Sequence, residues 1–512
     1  MKLVKKTYLA LMLAAACTAS SAYAEQAVTW ENSDLHTVSL IMSEPMMKVD
    51  GSYHELLDAY YLKPLMTKEK VVIAPLDDIF DELNGEMSFD GKTVEYRLNK
   101  KVVSMVLDSA DAVVNGKTVK APAAPQIIEG ALYVPFRFVF EGLGAKYTWN
   151  SSRHIAEVTL LRPSGTIFKA HKGKISAKTI LKQKPEWFAS KEAKNVAEAM
   201  LANQNVDGGW FKIGSSNDLS VAYDRDTFPT YRQKSTIDND ATNLQIEVLA
   251  KINQQHSEQR LQESIIRGVE YLINGQYDNG GWPQFFPQTR GYHRHVTFND
   301  NAISNTLNIL EEVANKTKDF AFVSDDLATR AKASMNKGIR FILDNQVVVN
   351  GVKTGWCAQY NVDTLACERG RSYELASISG DESVKVIKFL MSIDKPSSEV
   401  VDAINSSVAF LKSQSIKDKK LVKTKDDTLE FGRNRIVIDK QGSTVWPRFI
   451  NTETLQPLFS NRQGDHLDAY EKVSYERRVK YSWLVTSPGK LIKNNYPKWQ
   501  AKYSPKVNVL AE

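Results

Sequence analysis

Three aspartates, Asp238, Asp240 and Asp300, stand where polar loops give way to helical runs, in the strings TIDNDATNL and TFNDNAISN. A single aspartate before a helix is normally an N-cap, and Asp240 suits that duty. TIDND holds one acid more than a cap needs, which leaves Asp238 for chemistry. Asp300 lies between Asn299 and Asn301, an oxygen-rich corner suited to a hard cation. Arg371 precedes a helix that has its own capping pair, Ser379 and Glu382, so the arginine is either free for another task or simply solvated. His293 and His295 flank Arg294 with no cysteine nearby. That spacing does not favour zinc and leaves packing or hydrogen bonds to sugar hydroxyls. Trp210, Trp282 and Trp356 either stack on sugar rings or lock structural repeats together.

The elements that position these residues recur along the chain. QNVDGGW, from Gln204 to Trp210, reappears as QYDNGGW, from Gln276 to Trp282, each copy closing a helical stretch. Apolar residues at Leu261, Ile265, Ile266, Val269, Leu272 and Ile273 keep one helical face. So do Ile303, Leu307, Leu310 and Val313, and Val400, Val401, Ile404, Val408 and Leu411. Helices therefore come in pairs, the first of each ending near Gln204, Gln276, Gln346 or Gln414, which predicts a toroid of helical hairpins. The loops within the pairs then gather at one end of the ring, where helix N-termini favour anions. The segment from Gln276 to Ala302, with its turns, aromatics and histidines, reads as a carbohydrate-handling loop.

At 512 residues the chain exceeds one ordinary core. Residues 1–24 carry Lys2, Lys5 and Lys6, an apolar run from Leu9 to Ala16 and a small-residue end at Ala22 to Ala24, the pattern of a secretory signal. A secreted protein is expected, extracellular, cell-surface or periplasmic, with no stable membrane insertion. The formal net charge of +6 falls by three once the leader lysines are removed, so nothing global suggests nucleic acid. A polyanionic partner must be gripped locally, by a few basic side chains or a bridging cation. Export makes a disulfide between Cys357 and Cys367 feasible.

Residues 38–160 contain a second repeat. VVIAPLDDIFDELNG, starting at Val71, aligns with LYVPFRFVFEGLGA, starting at Leu132, and the offset of 60 pairs Pro75 with Pro135, Phe80 with Phe140, Leu83 with Leu143 and Phe89 with Trp149. Each copy reads as strand, short helix and alternating strand. This module resembles the copper amine oxidase N-terminal-like domain. No histidine or cysteine cluster suggests copper, and an accessory or attachment role at a cell wall or surface is expected. Residues 161–180 read as a linker and 181–505 as a catalytic domain.

From Gln204 to Trp499 the chain resembles the pectate lyases of polysaccharide lyase family 10. The matching stretches are QNVDGGWFK, STIDNDATN, QYDNGGWPQFFP with YHRHVTFNDNA, NQVVVNGVKTGWCAQ, RSYE with SGDESV, and YERRVKYSW. The resemblance implies a mostly α protein, an incomplete α/α toroid behind the small α+β module. It also implies calcium-dependent anti β-elimination of α-1,4-linked polygalacturonate, giving 4,5-unsaturated oligogalacturonates. Asp300 would bind calcium, Arg371 would be the Brønsted base and Asp238 an essential acid. Arg448 or Arg462 would hold a substrate carboxylate, and His293, His295, Asn299 and Trp282 would add substrate contacts. The resemblance does not itself supply the disulfide. Where many relatives carry an Arg-Pro pair, this chain has Gln456-Pro457.

Two other classes suit the same residues. A glycoside hydrolase would use Asp238 and Asp300 as acid and base across a glycosidic bond. A non-catalytic pectin-binding surface protein would use the same groove without turnover.

Overall fold

The computed structural model describes residues 35–511 except 43, 57–61, 84, 162–172, 224, 226–232 and 288–290. The expected leader, residues 1–24, lies outside the described residues. Of the expected linker, residues 173–180 are described, and Ile175 and Ile180 are buried in the helical core.

The N-terminal module follows from its repeat. In the first copy, strand Val72–Ala74 leads into helix α1 (Asp77–Glu82) and strand Glu86–Phe89; in the second, Ala131–Pro135 leads into helix α2 (Phe136–Gly142) and strand Lys146–Asn150. The copies pair on each other. Ala74 sits opposite Val134 in an antiparallel ladder, and the rings of Phe80 and Phe140 are 5.6 Å apart. Residues 60 apart therefore meet at a local two-fold axis, and neither copy could bury its apolar side alone. Two five-stranded sheets and one four-stranded sheet complete the module.

Beyond it, α3 (Lys191–Asn203), α5 (Gln259–Asn274), α7 (Asp325–Asp344) and α9 (Ser398–Ser413) form one layer of neighbours. A second layer holds α4 (Asn243–Gln255), α6 (Ala302–Ala314) and α8 (Glu382–Ser392). Serine caps start three helices of the first layer, with Ser190, Ser324 and Ser397 each accepting from a backbone N–H three residues on. The second-layer helices start without a side-chain cap.

The Gln-x-x-x-Gly-Gly-Trp repeat stitches these layers. Gln204 donates to the Ser264 carbonyl of α5 at 2.9 Å, and Gln276 donates to the Ser334 carbonyl of α7 at 2.9 Å. The first glycine of each pair has a positive φ, +92° at Gly208 and +93° at Gly280, and a Cβ there would fall 2.3 Å from the Arg267 carbonyl oxygen or 2.4 Å from that of Lys337. Only glycine satisfies both demands. Each tryptophan then turns its indole N–H back into the preceding helix, Trp210 to Met200 and Trp282 to Leu272.

The expectation of a mostly α chain, an incomplete α/α toroid, is corrected. The protein is 36% helix and 26% strand, with many sheets and a strand-rich N-terminal module. Helical periodicity reports only the amphipathic helices. It passes over the long hairpin of Ile416–Lys425 with Arg433–Pro447, whose lysine-rich first strand, IKDKKLVKTK, shows no continuous apolar face. It also passes over the small three-stranded sheet of Trp356–Cys357, Ile378–Ser379 and Phe449–Ile450.

Candidate active site

Two equivalent turns build the acidic side of the site. Thr236 and Thr297 are buried, each takes its N–H to the carbonyl of the repeat tryptophan, and each hydroxyl accepts an N–H two residues on, from Asp238 or Asn299. The next residues, Asn239 and Asp300, share a left-handed backbone with φ of 51° and 49°, as do Asp240 and Asn301 at 66°. Asparagine and aspartate tolerate that conformation best, so part of the Asn/Asp richness serves the turns themselves. Asp240 caps no helix. It accepts a hydrogen bond from Asn305 instead.

The remaining carboxylates converge. Asp238 is buried and receives the Lys212 ammonium at 2.5 Å. Burial opposes its charge, but Lys212 with hydrogen bonds from Gln284 and Asn239 outweighs it and holds Asp238 below the usual aspartate value. Asn239 also donates to Asp300 at 3.0 Å. Asp300 keeps an exposed face, yet desolvation of its carboxyl, with Asp238 and Glu382 close by, pushes its pKa up to about 6. Its crowding by like charges is the condition a bound cation relieves.

A second set of contacts runs from Glu382 to Arg371. The buried Glu382 accepts from Arg448 at 2.6 Å. The Arg448 guanidinium lies 5.0 Å from the ring of Tyr481, and its buried Nε has no hydrogen-bond partner among the described residues. Tyr481 donates to Glu374 at 2.5 Å. Glu374 in turn forks Arg371, at 3.0 Å to Nε and 2.7 Å to Nη2. Burial works against the charge on Arg371, but Glu374 and the flanking Tyr373 and Tyr481 hold it well above the ordinary arginine value. Glu374 is pulled down to about 2 against its own burial, chiefly by Arg371.

Asp238, Asp300, Arg371 and Arg448 are therefore joined in one network. Arg462 is not open to a substrate carboxylate. It is 7% exposed, its guanidinium forks Glu476, and the Tyr53 ring lies 3.7 Å away. Trp282 is 1% exposed and packed in the core, so it locks a repeat and has no face for a sugar ring. His295 is buried, its Nδ1 accepts the Val362 N–H, and burial lowers its pKa. The His293 ring lies tilted against Phe285 with centroids 4.5 Å apart, and the His293 carbonyl accepts the N–H of Gln284, the residue that supports Asp238. Asn299 is buried in the second turn. Cys357 and Cys367 are disulfide-bonded, with Cα atoms 5.6 Å apart.

Sequence reasoning passed over Lys212, Glu374, Glu382 and Tyr481 as site residues. All four lie inside the stretches already singled out, QNVDGGWFK, RSYE, SGDESV and YERRVKYSW. Glu382 was read only as half of a capping pair. Ser379 does accept the Glu382 N–H at 3.2 Å, but the carboxylate is shared with Arg448.

Residues 204–492 match the family model described as pectic acid lyase, and residues 49–158 match the copper amine oxidase N-terminal domain. A search of curated proteins finds no match. Among solved structures, the chain is similar to an aspartate-to-alanine mutant of a family 10 polysaccharide lyase from Cellvibrio cellulosa in complex with trigalacturonic acid. The identity is 30% and the TM-score 0.53, over 62% of this chain and 96% of that one. A second structure of the family 10 polysaccharide lyase from the same organism aligns at 29% identity and a TM-score of 0.52, over 66% of this chain and 99% of that one. This chain belongs to the pectic acid lyase family: it is a pectate lyase with a copper amine oxidase N-terminal domain ahead of the matched region.

Proposed function

We propose that the enzyme cleaves α-1,4-linked polygalacturonate by calcium-dependent anti β-elimination, outside the cell or at its surface. The observation that carries this is that Asp300, crowded by Asp238 and Glu382, belongs to the same series of contacts as the arginines Arg448 and Arg371. Asp300, with the substrate's own carboxylates, fits a hard cation that wants oxygen ligands. Bound there, calcium would neutralise the uronate carboxylate beside the acidic C5 carbon. Asp238, itself held ionised by Lys212 and fixed by Asn239, anchors the acidic wall beside Asp300. The Arg448 guanidinium supplies positive charge toward the same carboxylate as negative charge builds on it.

Arg371 takes the C5 proton. Its fork with Glu374 fixes the guanidine against the sugar but also makes the neutral form a minor species. The rate should then rise with pH, about tenfold per unit for as long as the protonated form dominates. The same fork favours a second reading, in which Arg371 stays protonated and stabilises the developing charge while a solvent water takes the C5 proton. Turnover followed by the ultraviolet absorbance of the unsaturated product against pH separates the two. A log-rate slope near one supports the base, and a flat alkaline limb supports the electrostatic role.

A further inference from the structure

The N-terminal module reaches the catalytic network through one hairpin. Strands Met46–Val49 and Ser52–Glu55 pair in register, Val49 opposite Ser52, around a two-residue Asp-Gly turn whose φ values are +50° at Asp50 and +78° at Gly51. Both central residues are left-handed, as the tightest hairpin turn requires, so the ribbon is short and stiff. It presents Tyr53 and Met46 to Arg462. The Arg462 guanidinium lies 3.7 Å from the Tyr53 ring centroid, and its Nη1 lies 2.7 Å from the Met46 sulfur. Beside it, Gln463 donates to Glu44 at 3.3 Å. Lys234 and Asp81, at 3.8 Å, add a second bridge between module and helical region. Burial at this contact pushes Glu44 up, with Arg462 opposing it.

Behind Arg462 the contacts lead to Arg371. Glu476 forks Arg462 and also Arg477. Arg477 lies 4.4 Å from the ring of Tyr373, and the Arg371 guanidinium lies 5.1 Å from that same ring. An ion pair under an aromatic cover is screened less than one open to solvent, so uncovering Arg462 loosens the whole series.

We propose that Tyr53 and Met46 are positioning residues for the elimination: by covering Arg462 they hold the Glu476 fork and Tyr373, and through them the loop that presents Arg371. The module is then a working wall of the catalytic region. This rests on the reading that Arg371 acts on the substrate.

The test compares full-length Tyr53→Ala and Tyr53→Phe, each alone and in an Arg371→Ala background, on polygalacturonate. Tyr53→Ala should lower kcat at least about tenfold, the scale of a small misplacement of a reacting group. KM should stay within about twofold, since substrate contacts remain. Tyr53→Phe should restore the rate, because the ring face and not the hydroxyl covers Arg462. In the Arg371→Ala background, Tyr53→Ala should cost nothing further. An unchanged kcat in Tyr53→Ala, with or without a lower unfolding temperature, overturns the proposal, as does an equal loss in both backgrounds. A near-normal rate for Arg371→Ala alone would remove the Arg371 reading itself, and this proposal with it.

Discussion

One amide links the two repeats of the acidic wall. Asn239 Nδ2 donates to Asp238 at 2.8 Å and to Asp300 at 3.0 Å, so a single side chain fixes carboxylates that lie 62 positions apart in the chain. Lys212 balances Asp238 and Arg448 balances Glu382, which leaves Asp300 as the carboxylate of this group with no bound cationic partner among the described residues.

Asp300→Ala should therefore raise the calcium concentration needed for half-maximal rate at least about tenfold. The pH dependence has a definite sign. Because the Asp300 pKa is raised to about 6, the group is protonated below that value and calcium must displace the proton. Calcium titrations of the wild type should thus demand more metal as pH falls through that point. An unchanged requirement in Asp300→Ala would move the metal site elsewhere.

Arg371→Ala should retain the far-ultraviolet circular dichroism and the affinity for oligogalacturonate while losing at least about a hundredfold in kcat, the scale of a positioned acid or base. Near-normal turnover would take Arg371 out of the mechanism. Loss of the helical signal would instead mean that its fork with Glu374 is chiefly structural.

Acid stability follows from two glutamates, the buried Glu374 and the half-buried Glu476. Glu374 and Glu476 are both depressed to about 2 by their arginine partners, against an unfolded value near about 4.3. A carboxylate depressed in the folded state contributes stability that is full above the unfolded value and lost as pH falls through the folded one. The unfolding temperature should decline steeply between those limits, and Glu476→Gln should flatten part of that decline. A melting temperature constant over this interval would show that the forks contribute nothing to folding.

What was legible in the sequence was whatever repeats. The offset of 60 foretold that Ala74 and Val134 belong to equivalent strands, and Gln-x-x-x-Gly-Gly-Trp marked the ends of α3 and α5. Motif strings singled out Asp238, Asp300 and Arg371. Partners were not legible, because periodicity reports which way a side chain faces and not what it meets. Glu374 lies three residues from Arg371, yet nothing in RSYE announces a fork closed from behind by Tyr481, 107 positions later. Arg462 looked like an open substrate arginine until Tyr53, in another module, proved to cover it. The strand content was hidden for a related reason: the lysine-rich hairpin leans its few apolar residues, Leu421 and Val437, on a small separate core.

The measurement that tests calcium-assisted elimination most directly is ultraviolet absorbance during incubation with de-esterified polygalacturonate, with calcium, with chelator, and with calcium restored. Elimination leaves a C4–C5 double bond conjugated to the uronate carboxylate, hydrolysis adds water across the glycosidic bond, and binding changes no bond. The chromophore should appear with calcium, stop with chelator and return on recalcification, and highly methylated pectin should be a poor substrate because its esters cannot share the ion. Reducing ends that rise without the absorbance, or an absorbance indifferent to chelator, would contradict the account.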